Sequence, residues 1–269
     1  MQTIGLIGAG RMGLPIVGHL GRAGFRVLVS ERDAARGPDI AARRGELVEQ
    51  RVLAQESEAI LVCVGYDKEV RELLQAPGGL LESARPGTII AVLSTIHPKT
   101  MQELAQYAAS YAVHVVDSTV CRGGRAADEG TLLSFVGGPA DVVERLIPVL
   151  RAYSSDVVHS GDVGTAQVSK AANNLILWAC LVASHEGLAL AQRYEVNVDA
   201  LRSALMTSSA TNGALGNWGE QSMAWAQDDM AIVAEMADDC GISLPQSGVV
   251  REVCRTLKPR RYQLDKYGV

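Results

Sequence analysis

Two groups of residues in this 269-residue chain have types and spacing suited to chemistry. The first is Gly8-Ala9-Gly10-Arg11-Met12-Gly13, a G-x-G-x-x-G turn that follows the apolar stretch Ile4–Ile7 and opens a helical pattern. In such a turn the first glycine permits a tight bend and the second lets backbone approach a pyrophosphate. The third allows close helix–strand packing, and the N–H groups at the helix start face the anion. An acid, Glu31, stands 23 residues after Gly8, at the end of the second β-branched run. From there a carboxylate accepts hydrogen bonds from ribose hydroxyls and repels a 2′-phosphate. Arg32 follows directly and could instead bind that phosphate. The acid holds the strand end, so the reading leans to NAD and leaves NADP open. An ordinary glycine turn is the competing reading, and the strand before it and helix after it speak against that.

The second group is Lys170-Ala171-Ala172-Asn173-Asn174. Lys170 and Asn174 are four residues apart, so on a helix they share a face. The neighbours Ala166, Val168, Ala171, Ala172 and Leu175 are apolar, and desolvation there favours the neutral amine, the form that accepts a proton. An adjacent amide can orient the amine or a substrate oxygen without adding charge. A lysine at the solvated end of a helix is the plain alternative. Beside a dinucleotide turn, a lysine that moves a hydroxyl proton is the missing partner of hydride chemistry.

The elements that must carry these groups alternate up to about residue 160. Strands are predicted at Thr3–Ile7, Arg26–Ser30, Ala59–Val64, Thr88–Leu93, Val113–Asp117, Leu132–Val136 and Asp156–His159, with helical patterns such as Arg11–Ala23 and Pro98–Ser110 between them. That alternation implies a mostly parallel α/β sheet of the Rossmann kind. After Gly161-Asp162-Val163-Gly164 the strands stop and a helical pattern runs from Thr165 to about Tyr194, followed by shorter ones at Val198–Met206, Asp228–Cys240 and Pro245–Leu257. The expected organisation is residues 1–161 as an NAD(P)-binding Rossmann domain and 162–269 as an all-α substrate and dimerisation domain. Within the long helix, Leu175–Ala183 is apolar on every face, which predicts burial all round, inside one chain or between subunits.

Composition narrows the class. Hydrophobic residues make up 48% and the net charge is −5, values that exclude a disordered chain and disfavour nucleic acid as a partner. No wholly apolar run reaches the ~20 residues of a bilayer span, and Met1-Gln2-Thr3 leads into a strand with no basic leader. Five scattered cysteines without C-x-x-C fit a reducing, cytoplasmic setting. The histidines lack metal-ligand spacing, so no metal site is expected.

Four collinear stretches resemble one family, the β-hydroxyacid dehydrogenases of the 3-hydroxyisobutyrate and tartronate semialdehyde reductase type. They are Ile7–Gly13; Ser94-Thr95-Ile96-His97-Pro98; Gly130-Thr131-Leu132 with Val136-Gly137-Gly138; and Gly161-x-x-Gly164 through Lys170 to Asn173-Asn174. The resemblance implies Lys170 as catalytic acid/base, Asn174 as a substrate-positioning residue, Cys63, Val64 and Thr95 along the cofactor, and dimer contacts in the α-domain. It also exposes departures. The family's D-A-P-V-S-G-G reads Asp117-Ser118-Thr119-Val120-Cys121-Arg122-Gly123 here, and the family's lysine-aspartate pair reads Asp228-Asp229. Cys121 is a weaker donor than the serine that contacts a substrate carboxylate. Arg122 could take over as a bidentate carboxylate clamp, or it could point outward into solvent. Asp228 could instead attract an amine-bearing substrate.

The expected activity is hydride transfer between NAD(P) and the hydroxyl-bearing carbon of a small acidic 3-hydroxy compound. Cys121, Arg122, Gly123, Lys170, Asn174 and Asp228 would stand at the substrate, and a homodimer or higher homo-oligomer is expected. Two rivals remain, an imine reductase-like enzyme and a cofactor-binding protein that has lost catalysis.

Overall fold

The computed structural model describes residues 1–268, which divide into two compact units, one from Met1 to Lys170 and the other from Ala171 onward. The first unit is built on eight strands: β1 (Thr3–Ile7), β2 (Arg26–Ser30), β3 (Gly45–Leu47), β4 (Ala59–Val62), β5 (Ile89–Val92), β6 (His114–Cys121), β7 (Leu132–Gly137) and β8 (Ser154–Gly161). Their order across the sheet is β3-β2-β1-β4-β5-β6-β7-β8, parallel except where β7 runs against β6. Helices α1 (Gly13–Arg22), α2 (Gly37–Ala42), α3 (Gln50–Glu56), α4 (Asp67–Gln75), α5 (Leu80–Ser83), α6 (Pro98–Ala108), α7 (Gly123–Glu129) and α8 (Ala140–Leu150) connect the strands.

Alternation along the strands explains this arrangement. Ala59 and Leu61 of β4 join one core with Ile16 and Leu20 of α1. Ile60 and Val62 join a second core with Val70 and Leu74 of α4 and Met101 and Leu104 of α6. A central strand apolar on both faces must be covered on both, as parallel sheets require.

The predicted strands at Thr3–Ile7 and Arg26–Ser30 match β1 and β2 residue for residue. The three-residue β3 was not legible in the sequence. The larger difference is at β6, predicted to end at Asp117, which continues to Cys121 by pairing Asp117↔Gly137 through Cys121↔Leu133 with β7. Distant antiparallel pairing extends the strand, so most of the presumed loop is sheet.

The second unit is helical. The long helix α9 (Thr165–Arg193) begins in the first unit and continues into the second, followed by α10 (Val198–Leu205), α11 (Gly213–Gly216), α12 (Ala226–Cys240) and α13 (Pro245–Leu257). Trp178, Leu181 and Val182 of α9 pack with Met230, Val233, Val250 and Cys254. Leu175–Ala183, expected to be buried inside one chain or between subunits, is only partly buried within this chain, where Ile176 is 64% exposed. The neighbouring helices cover one side of α9 and leave an apolar stripe that also includes Leu190. By length and composition alone, α9 also has the dimensions and hydropathy of a membrane-crossing helix, and 44% of its apolar window is buried.

Candidate functional site

The Gly8–Gly13 turn joins the C-terminal end of β1 to the start of α1. Gly8 has φ +93°, and a Cβ there would run into the Cys63 carbonyl oxygen; a Cβ on Gly13 would run into the Gly8 carbonyl oxygen. These two glycines are required by the protein's own packing. Gly10 is different, because a Cβ there would meet nothing within 4 Å. Its missing side chain leaves open space beside the start of α1, which fits a pyrophosphate lying against backbone N–H groups.

Glu31 binds this turn directly. Its carboxylate accepts the Ala9 N–H at 2.7 Å and the Asp33 N–H at 3.1 Å. Arg36 donates to the Ala9 carbonyl at 2.7 Å, a contact that sequence spacing did not single out. Arg32 extends outward and pairs with Glu69 at 2.9 Å. Arg11 makes a two-pronged contact with Asp128 of α7, at 2.9 and 2.6 Å, and its guanidinium holds the Asp128 carboxyl below the usual carboxylate range. Met12 caps α1 without a side-chain bond.

Beyond β4, Cys63 donates its backbone N–H to Ile7 at 2.8 Å. Ser94 fixes Val64 on both sides, accepting its N–H at 3.0 Å and donating to its carbonyl at 2.9 Å. Thr95 lies between Ser94 and Ile96, and Gln167 of α9 grips both. The Gln167 amide donates to the Ser94 carbonyl at 2.8 Å and accepts the Ile96 N–H at 3.0 Å. The ends of β4 and β5 are thereby tied to the first turns of α9.

Strand β6 ties α9 a second time. Asp117 is fully buried, and its carboxylate accepts the N–H groups of Gly164 at 2.8 Å and Gln167 at 3.0 Å. Burial raises its pKa, while those N–H groups pull it back down. Two residues on, the Thr119 hydroxyl donates to the Ala166 carbonyl at 3.0 Å. The lysine follows: Lys170 Nζ donates to the Val120 carbonyl at 2.8 Å and lies 3.9 Å from Cys121 Sγ. Lys170 is therefore half-buried against the end of β6 rather than at a free helix end. From this place an ammonium can deliver a proton from Nζ, and the neutral amine that remains can take one back. Asp117, Thr119 and Gln167 carry this placement and were missed as site residues; a buried acid at an inward-facing strand position was the signal for Asp117.

Arg122 takes the outward of its two predicted orientations. Its guanidinium pairs with Asp156 of β8 at 2.7 Å and donates to the Thr131 carbonyl at 3.0 Å and to Ser155 Oγ at 2.8 Å. A substrate carboxylate would have to displace Asp156 to reach it. The backbone at Arg122 is left-handed, φ +83°, and Gly123 after it has φ +75°.

In the second unit, Asn174 is buried and its Oδ1 accepts from Asn173 Nδ2 at 3.0 Å. Asp228 is half-buried in the first turn of α12, and its neighbour Asp229 accepts the Trp178 indole N–H at 2.9 Å. No group of three His, Cys, Asp or Glu side chains among the described residues is placed to hold a metal ion.

Comparison with known proteins bears on both halves. The family described as the NAD binding domain of 6-phosphogluconate dehydrogenase matches residues 3–161. That described as NAD-binding of NADP-dependent 3-hydroxyisobutyrate dehydrogenase matches residues 164–266. A 3-hydroxyisobutyrate dehydrogenase of Pseudomonas aeruginosa is 30% identical over 225 residues, covering 80% of this chain and 72% of its own. Among solved structures, Mycobacterium tuberculosis 3-hydroxyisobutyrate dehydrogenase with L-serine has a TM-score of 0.85 at 22% identity, over 96% of this chain and 94% of its own. An imine reductase from Myxococcus stipitatus in complex with NADP+ has 0.71 at 19%, over 97% and 95%. The imine reductase fold is shared and fits less closely.

Proposed function

This chain belongs to the β-hydroxyacid dehydrogenases of the 3-hydroxyisobutyrate type and is an NAD(P)-dependent hydroxyacid dehydrogenase; from that premise we propose that Lys170 is its acid/base and a short 3-hydroxy acid its substrate. The observation that carries the role of Lys170 is the anchoring of its Nζ on the Val120 carbonyl, at the end of the strand that Asp117 and Thr119 lock to α9.

The dinucleotide, when bound, supplies the hydride acceptor or donor. The residues proposed to hold it are Gly8, Ala9, Gly10, Arg11, Met12 and Gly13 at the pyrophosphate, Glu31 and Arg32 at the ribose, and Cys63, Val64 and Thr95 farther along. The carboxylate of Glu31, already fixed by two backbone N–H groups, favours a free 2′-hydroxyl, hence NAD. Lys170 takes the hydroxyl proton onto Nζ in oxidation and returns it in reduction. Asn174, one helical turn along α9, orients the reacting oxygen or the amine. Cys121 at the end of β6, with Arg122 and Gly123 that follow it, receives the substrate's acid group, with the Arg122 side chain bracing this segment on Asp156. Asp228 would attract a substrate that bears an amine.

The functional division proposed is residues 1–161 for NAD(P) and 162–269 for substrate and dimerisation. The exposed stripe of Ile176 and Leu190 on α9 supports a homodimer, and five free cysteines support a cytoplasmic protein. The deciding experiment screens short 3-hydroxy acids and their amino analogues with NAD and NADP, comparing the wild type with Lys170→Ala. Turnover should vanish in the variant while NADH binding persists. Turnover that survives would overturn the mechanism, and nucleotide binding without turnover on any substrate would favour a catalytically silent protein.

A further inference from the structure

The ion pair between Arg32 and Glu69 has no part in the chemistry above. Strands β2 and β4 are the two neighbours of β1, all three parallel, so their C-terminal ends lie on one edge of the sheet. Arg32 follows β2, and Glu69 sits in the first turn of α4 after β4. Their contact at 2.9 Å therefore spans the end of β1, where the Gly8–Gly13 turn begins.

Glu69 is fixed for this task. Its second carboxylate oxygen accepts the Gly65 N–H at 2.8 Å, and its side chain is only 27% exposed. Arg32 is 88% exposed and would otherwise swing freely. The other guanidinium beside the turn, Arg36, is committed to the Ala9 carbonyl at 2.7 Å, with Asp33 at 3.8 Å. Arg32 and Arg36, the two arginines that follow β2, are thus both held by the protein's own oxygens, and Glu31 adds a carboxylate fixed on the Ala9 and Asp33 N–H groups. A planar guanidinium recognises phosphate by paired N–H bonds, and a carboxylate already holding that guanidinium competes with the phosphate for it.

We propose that Glu69 determines dinucleotide specificity through Arg32: by holding the guanidinium it denies a 2′-phosphate its natural partner and strengthens the preference for NAD over NADP. The proposal rests on the cofactor reading above and adds a residue from a neighbouring loop to it.

Isothermal titration of the full chain with NADH and with NADPH tests this without catalysis. Glu69→Gln keeps an oxygen for the Gly65 N–H and removes the charge that holds Arg32. It should shift the ratio of the two dissociation constants toward NADPH by roughly two- to fivefold, the scale of an exposed ion pair. The gain should disappear in Arg32→Ala/Glu69→Gln. Glu72→Gln, which removes a charge from the same helix, should leave the ratio unchanged. A gain that persists without Arg32, an unchanged ratio, or parallel weakening of both nucleotides would each overturn the role of Glu69. A wild-type protein that binds neither nucleotide would overturn the cofactor reading itself.

Discussion

Arg122 offers a test in which backbone and side chain pull in opposite directions. At φ +83° and ψ 1°, its Cβ crowds the backbone, and a left-handed L-residue costs about 1–2 kcal/mol. The side chain offsets this by its bonds to Thr131, Ser155 and Asp156. Arg122→Ala discards those bonds and keeps the strain. Arg122→Gly discards the same bonds and releases the strain, against roughly 0.5–1 kcal/mol for the extra freedom of glycine in the unfolded chain. Glycine should therefore be the more stable variant by up to about 1.5 kcal/mol, the reverse of the order inside a helix. All three tryptophans lie beyond residue 171, so urea unfolding should be followed by far-ultraviolet circular dichroism, which also reports the first unit. An alanine variant as stable as the glycine variant would refute the left-handed account. The same proteins test the substrate turn. With the guanidinium on Asp156, Arg122→Gly should leave KM for an acidic substrate within about twofold, whereas a rise of about tenfold would mean a direct contact worth on the order of 1.4 kcal/mol and restore the carboxylate clamp.

Asp117→Asn keeps the shape but presents an amide donor to one of the two N–H groups at the start of α9. It should lower kcat by on the order of tenfold or more through displacement of Lys170, with NADH affinity unchanged; an unaltered kcat would remove Asp117 from the positioning of the lysine. His185 donates from Nδ1 to the Leu181 carbonyl at 2.8 Å and accepts the Tyr262 N–H on Nε2 at 3.0 Å, an arrangement available only to the neutral ring. Burial lowers its pKa, so the folded state binds this proton less readily than the unfolded chain. Its contribution to stability is full above about pH 6.5 and is lost as pH falls through the lowered native value. Fluorescence of Trp218, whose ring lies 4.5 Å away, should record that loss, and His185→Gln should flatten it. Among the thiols, exposed Cys240 should react first with a disulfide reagent. Cys254, buried and pushed up to about 11, should wait for unfolding, and a fast phase that survives Cys240→Ser would contradict this order.

The sequence alone determined what depends on neighbours along the chain. Gly8, Gly10 and Gly13 mark a dinucleotide turn because the strand, the bend and the helix start are contiguous in the chain. The alternation of strands and helices implied the parallel sheet, and Lys170 and Asn174 fall on one face of α9 by helical period alone. Tertiary structure decided what depends on residues far apart in sequence. Cys121 belongs to a strand because β7 pairs with it, and Lys170 is held because Asp117, 53 residues earlier, caps the helix that carries it. Arg122 is given to Asp156 and Arg32 to Glu69, pairings between surface charges that no periodicity encodes. The apolar stretch of α9 is covered on one side only, because packing partners rather than composition set which face is buried. Local geometry announced the cofactor turn; long-range contacts fixed where each charge points.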